Sequence, residues 1–94
     1  MPYKEREAFA EDTVLLIEVA ETSLRYDRSV KLRLYAEAGI QEYWIVDCAA
    51  ESVEIYRAPE GDGYRDVLRV ADAEMTVSPQ EFPDVTPSLA EIFA

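Results

Sequence analysis

Ninety-four residues suffice for one small domain, and a hydrophobic content of 49% lets that domain bury a core. The net charge of −11 argues against nonspecific nucleic-acid binding by the chain as a whole. With no histidine and one cysteine, Cys48, the chain cannot build Cys/His zinc sites, His-based triads or an internal disulfide. A lone thiol fits a cytoplasmic, reducing setting. The longest apolar run, Val14 to Ile17, is too short to span a bilayer, and the first residues carry no signal-peptide core.

In chain order, residues 1–12 are polar and mixed, consistent with a short helix or an arm. Thr13–Ala20 (TVLLIEVA) is apolar on both faces and reads as a central strand covered on two sides. Residues 21–26 read as a loop. Asp27 is placed to cap a helix running to about Ala38, with Gly39 at the C′ position. Glu42–Asp47 (EYWIVD) is a second strand. Ser52–Ala58 and Tyr64–Ala71 alternate as strands, with Pro59–Gly63 as the hairpin loop between them. Glu74–Ser78 reads as a short further strand. A brief helix follows, with Thr86 as N-cap and Pro87 in its first position. The order β-α-β-β-β-α predicts an α/β domain with a mixed sheet. Its first two strands are parallel through a right-handed crossover, and the rest are antiparallel.

Charge is distributed unevenly. Residues 1–21 carry six acids and two bases (net −4), residues 22–35 four bases and one acid (net +3), and residues 36–94 thirteen acids and three bases (net −10). The basic island holds Arg25, Arg28, Lys31 and Arg33. It reads either as a solvated helix face or as a contact for an anionic partner.

Two residues break the local pattern. Glu18 is an acid inside an apolar strand, sharing a face with Val14, Leu16 and Ala20. Either it reaches solvent at a fraying end, or it is paired or bound to a metal. Lys31 falls near 40° on a wheel of about 100° per residue counted from Asp27, inside the arc of Val30, Leu34, Ala38 and Tyr35. Its amine either snorkels to the rim or points at the strand that carries Glu18. Carboxylates bind Mg²⁺ through hard oxygen ligands, and a nearby lysine suits phosphodiester cleavage. One carboxylate is seldom enough, and Asp12, Glu21 and Asp27 are the nearby candidates for a second.

The run LLIEVAETSLRYDRSVKLRLYAEAGIQEYWIVDCAAESVEIYR resembles the Uma-two family of restriction endonucleases, a branch of the PD-(D/E)XK superfamily. The resemblance rests on Glu18-Val19, Thr22-Ser23-Leu24, Asp27-Arg28, Lys31, Tyr35, Ala38-Gly39-Ile40, Glu42 to Asp47 and Val53 to Tyr56. It implies a restriction-endonuclease-like mixed sheet flanked by helices. It also implies a Mg²⁺-dependent (or Mn²⁺-dependent) DNA endonuclease, with Glu18 as metal ligand and Lys31 as catalytic lysine. Ala20 stands where an E-x-K lysine would, so the lysine has moved to the helix. Asp27 and Asp12 are expected in supporting roles, and Arg25 and Arg28 as nucleic-acid contacts.

Family members are longer at the N-terminus, where a Pro-Asp supplies another metal ligand, and no Pro-Asp precedes Glu18 here. Asp12 lies at the far end of the predicted strand, too distant to share an ion with Glu18 at about 3.3 Å per residue. The resemblance therefore implies a core lacking its N-terminal part and compromised in catalysis. The alternative function is an inactive, dimerising remnant with a structural or regulatory role, a homo-oligomer formed through its sheet edge or apolar surface.

Overall fold

The computed structural model describes residues 15–21 and 24–94. Four strands, β1 (Leu16–Ala20), β2 (Glu42–Asp47), β3 (Ser52–Glu60) and β4 (Gly63–Val70), form one sheet in the order β1-β2-β3-β4. β1 and β2 are parallel, and the other two pairs are antiparallel. Between β1 and β2 runs one unbroken helical stretch: α1 (Leu24–Tyr26), a π-helical turn (Asp27–Lys31) and α2 (Leu32–Glu37). A short helix, α3 (Leu89–Ile92), closes the described chain. The mixed α/β sheet with flanking helices is the one the sequence pattern predicts.

β2 is the centre of the molecule, with all six of its residues buried. Its pleat feeds two cores. Tyr43 and Ile45 pack with Ala20 and Tyr56 on the face covered by the helices, joined there by Leu16, Leu32, Tyr35 and Tyr64. Trp44 and Val46 pack with Val53, Ile55, Val70, Val77 and Leu89 on the opposite face. The clean alternation of β3 therefore does not mark a wet face, because Ser52, Glu54 and Tyr56 are as buried as Val53 and Ile55.

Several expectations are corrected. β1 is an edge strand among the described residues, and Ile17 (48% exposed) and Val19 (61%) lie open. Its apolar character on both faces thus did not mean cover on both faces. Positions 13 and 14 of the predicted strand, and the arm at 1–12, lie outside the described residues.

Asp27 is not a helix cap. The helix already includes Leu24, and Asp27 sits inside it, with helical backbone on either side. A carboxylate there was misread because Asp favours caps when solvated, whereas this one is buried and ion-paired. Gly39, at φ +82°, does close the helix. Its amide bonds the Ala36 carbonyl and the Ile40 amide bonds that of Tyr35, a Schellman arrangement.

The proposed strand at Glu74–Ser78 reduces to a single antiparallel bridge between Thr76 and Ser88. Pro87, next to that bridge, has no N–H to extend a ladder. Nor is Thr86 the cap of the final helix. Ser88 is, its hydroxyl accepting from the Glu91 amide while the Glu91 carboxylate accepts from the Ser88 amide.

Candidate active site

The strand-helix-strand crossover lays the helix over the face of β1 that carries Leu16, Glu18 and Ala20. There Lys31 points at the sheet. Its Nζ lies 3.3 Å from Glu18 Oε1 and 3.4 Å from Asp27 Oδ1. The other oxygen of Glu18 accepts a 3.1 Å hydrogen bond from the Tyr35 hydroxyl. Lys31 Nζ also sits 5.7 Å from the centre of the Tyr26 ring. Asp27 is fully buried, while Glu18 and Lys31 are about a quarter exposed, so the cluster opens to solvent on the Glu18 side.

The two anomalies of the sequence thus explain each other: the strand acid and the helix lysine are partners. Burial works against the charge on Lys31, but the ion pairs with Glu18 and Asp27 outweigh it and hold the ammonium above its ordinary pKa. The two ion pairs thus favour the charged amine. For Tyr35, burial and the bond to Glu18 act together and push the hydroxyl upward, so it remains a proton donor.

The π-turn arranges this cluster. The Leu32 amide reaches back five residues to the Asp27 carbonyl, which also accepts from the Tyr43 hydroxyl at 3.3 Å. One step along the turn, Arg28 donates from Nε to both carboxylate oxygens of Glu54 (3.0 and 2.9 Å) and from Nη2 to Oε2. Its Nη2 also lies 3.9 Å from Asp47. Glu54 further accepts a 2.6 Å bond from Tyr56. Burial would raise the Glu54 carboxyl, but Arg28 and Tyr56 more than reverse this and hold it below its ordinary value.

Of the remaining sequence candidates, Arg25 is exposed, and its carbonyl accepts from the Ser29 hydroxyl. Asp12 lies outside the described residues. The sequence reading gives neither Tyr35 nor Glu54 a role in the site. Tyr35 stands four residues after Lys31 on the same arc, which was a usable signal. Glu54 looked like the polar half of an alternating strand, and only burial distinguishes it.

Among the described residues, no group of three or more Asp, Glu, Cys or His side chains is gathered to hold a metal ion. Glu18 and Asp27 both meet the Lys31 amine, and their hard oxygens are the donor type Mg²⁺ takes, but two carboxylates are an incomplete ligand set.

Known proteins share this fold. The family described as "Putative restriction endonuclease" (Uma2) matches residues 2–90. The chain belongs to that family. A crystal structure described as that of a "putative nuclease" from Anabaena variabilis superposes with a TM-score of 0.68 at 17% identity, over 84% of this chain and 42% of that one. This chain therefore spans less than half the length of that relative. Among curated proteins there is no match. No helix among the described residues is long and apolar enough to cross a membrane.

Proposed function

We propose that this chain is a nuclease domain that hydrolyses phosphodiester bonds in DNA, with Glu18 and Lys31 as its catalytic pair. The observation that carries this reading is the convergence of Lys31 on Glu18 and Asp27 across the crossover. Mg²⁺, or Mn²⁺, is the proposed cofactor, with Glu18 as a ligand and Asp27 as the second candidate. When bound, such an ion would acidify a coordinated water and neutralise charge on the phosphate.

The chain's own residues have distinct tasks. Tyr35 and Lys31 orient the Glu18 carboxylate from its two oxygens. Asp27, buried beneath, keeps the Lys31 amine over the strand. Lys31, in its charged form, stabilises the negative charge that builds on the phosphoryl oxygens. Arg25, exposed near the start of the helix, is the proposed phosphate contact.

A second reading is favoured by two observations: the net charge of −11 and the incomplete ligand set of the described residues. In that reading the chain is an inactive relative that acts through self-association. Plasmid nicking with Mg²⁺ or Mn²⁺ by the native chain, Glu18→Ala and Lys31→Ala distinguishes the two. We expect nicking by the native chain and a loss of roughly a hundredfold or more in each variant. Nicking that survives both substitutions removes this site. An inactive native chain with an oligomeric mass in solution establishes the second reading instead.

A further inference from the structure

The sheet register places Glu18, Ile45 and Glu54 side by side on the face beneath the helix. Two carboxylates thus stand in one row with an isoleucine strand between them, about 10 Å apart at ordinary strand spacing. Above the row the π-turn carries two cations, and each takes one carboxylate: Lys31 takes Glu18 and Arg28 takes Glu54. Between them, the Tyr43 hydroxyl from β2 holds the Asp27 carbonyl. One five-residue turn is therefore tied separately to each of three adjacent strands. The Arg28 tie anchors the turn to β3, two strands away from the Glu18 that Lys31 meets, so the turn is held at both ends of the row.

Geometry also argues against Arg28 as a nucleic-acid contact. Its Nε donates to both oxygens of Glu54, a carboxylate that is 3% exposed. The Arg28 side chain is 42% exposed, but a phosphate that drew its Nε and Nη2 away would strip a buried acid of its counter-charge, a costly exchange. Two neighbours strengthen the hold: the Tyr56 hydroxyl on Glu54 and the Asp47 carboxylate beside the guanidinium.

We propose that Arg28 is a positioning residue: clamped on Glu54, it fixes the turn that presents Asp27 and Lys31 to Glu18, and it does not bind DNA. The proposal rests on the nuclease reading for its kinetic consequences and on the geometry alone for its structural ones. The two roles predict opposite behaviour for Glu54→Gln. A phosphate-binding Arg28 would be released by that change, so DNA would bind more tightly and KM would fall. A clamp would be loosened, so kcat would drop at least about tenfold with KM and the salt dependence of DNA binding unchanged.

Arg28→Lys separates the roles again. A lysine satisfies a phosphate but cannot make the planar two-oxygen contact, so a clamp predicts the same kcat loss and a phosphate contact predicts near-native kinetics. Should either single variant fail to fold, Arg28→Gln with Glu54→Gln removes both members of the pair, leaves Asp47 its hydrogen bond from the Ala50 amide, and is read in the same assay. A fall in KM for Glu54→Gln, or native kinetics for Arg28→Lys or the double variant, overturns the proposal.

If the native chain cuts no DNA, the nuclease reading fails, and the clamp is then judged by amide hydrogen exchange. The Leu32 amide, bonded to the Asp27 carbonyl, should exchange at least about tenfold faster in Glu54→Gln while the β3–β4 hairpin is unchanged. Unchanged exchange at Leu32 refutes the clamp.

Discussion

The two faces of the sheet bury charge in different ways. On the face away from the crossover helix, Glu42 is 1% exposed and spends its carboxylate entirely on structure. It accepts from the Trp44 indole (2.7 Å), Arg57 (2.9 Å) and the Gln80 amide (2.8 Å). Arg57 in turn donates to the Ser78 carbonyl, so this network pins the long C-terminal loop to the sheet. Here the acid itself is sealed, although Arg57 reaches the rim with 27% of its side chain exposed. On the helix face, the Glu18 cluster is satisfied as well, but it is held at the rim, with Glu18 and Lys31 partly exposed. The cations of the two networks are about equally exposed, and the difference lies in the acids: Glu42 is sealed, whereas Glu18 is 25% exposed. Burial of charge alone therefore does not mark a site.

That contrast can be broken by experiment. The largest effect expected is at Glu42. Glu42→Ala takes the shared acceptor from the Trp44 indole, the Gln80 amide and the part-exposed Arg57, and should cost about 1–3 kcal/mol, read as a fall in the urea midpoint. A cost below about 1 kcal/mol would mean the network is not what holds the loop.

Next comes Glu18, where stability and activity should separate. Glu18→Gln keeps the shape and leaves Lys31 paired with Asp27, so stability should change by less than about 1 kcal/mol. DNA nicking should nevertheless fall by roughly a hundredfold or more. A Glu18→Gln protein as unstable as Glu42→Ala would erase the distinction between the faces.

Smaller effects follow from pH. Glu54 titrates below its ordinary value of 4.5 in the folded chain, so it contributes stability at neutral pH that is lost as pH falls through and below that value. Tyr35, Tyr43, Tyr56 and Tyr64 are all raised by burial, Tyr64 to about 12. The folded state keeps their protons, so stability should also decline as pH rises above about 10, where unfolded tyrosines ionise. Denaturation midpoints across pH, with phenolate absorbance at the alkaline end, test both limbs. The acid limb should flatten in Glu54→Gln.

The smallest effect lies away from both networks. Ser88→Ala should cost about 1 kcal/mol by breaking the capping box, while Thr86→Ala should be nearly silent. The reverse order would restore the cap that the sequence pattern first indicates.

Much of the fold was legible in the chain. The apolar run before Ala20, the glycine after Ala38 and the EYWIVD strand set a strand-helix-strand crossover, because hydrophobic period and left-handed backbone are local properties. Glu18 and Lys31 stood out for the same reason, each violating the period of its own element. Cover was not legible. β1 looked doubly buried and is an edge among the described residues, and the alternating β3 is buried on both faces from Ser52 to Tyr56, because burial depends on what packs above a residue.

The sequence by itself thus determined the elements, their order and the two residues that do not belong in them. Only the tertiary structure decided their partners. Lys31 meets Glu18 because a crossover of fixed hand returns the helix over β1. Asp27 became a buried counter-ion instead of a cap, and Arg28 a clamp on Glu54 instead of a free cation, because the π-turn and the sheet register bring residues 26 positions apart into contact. Such pairings are set by three-dimensional packing, to which no local pattern in the chain corresponds.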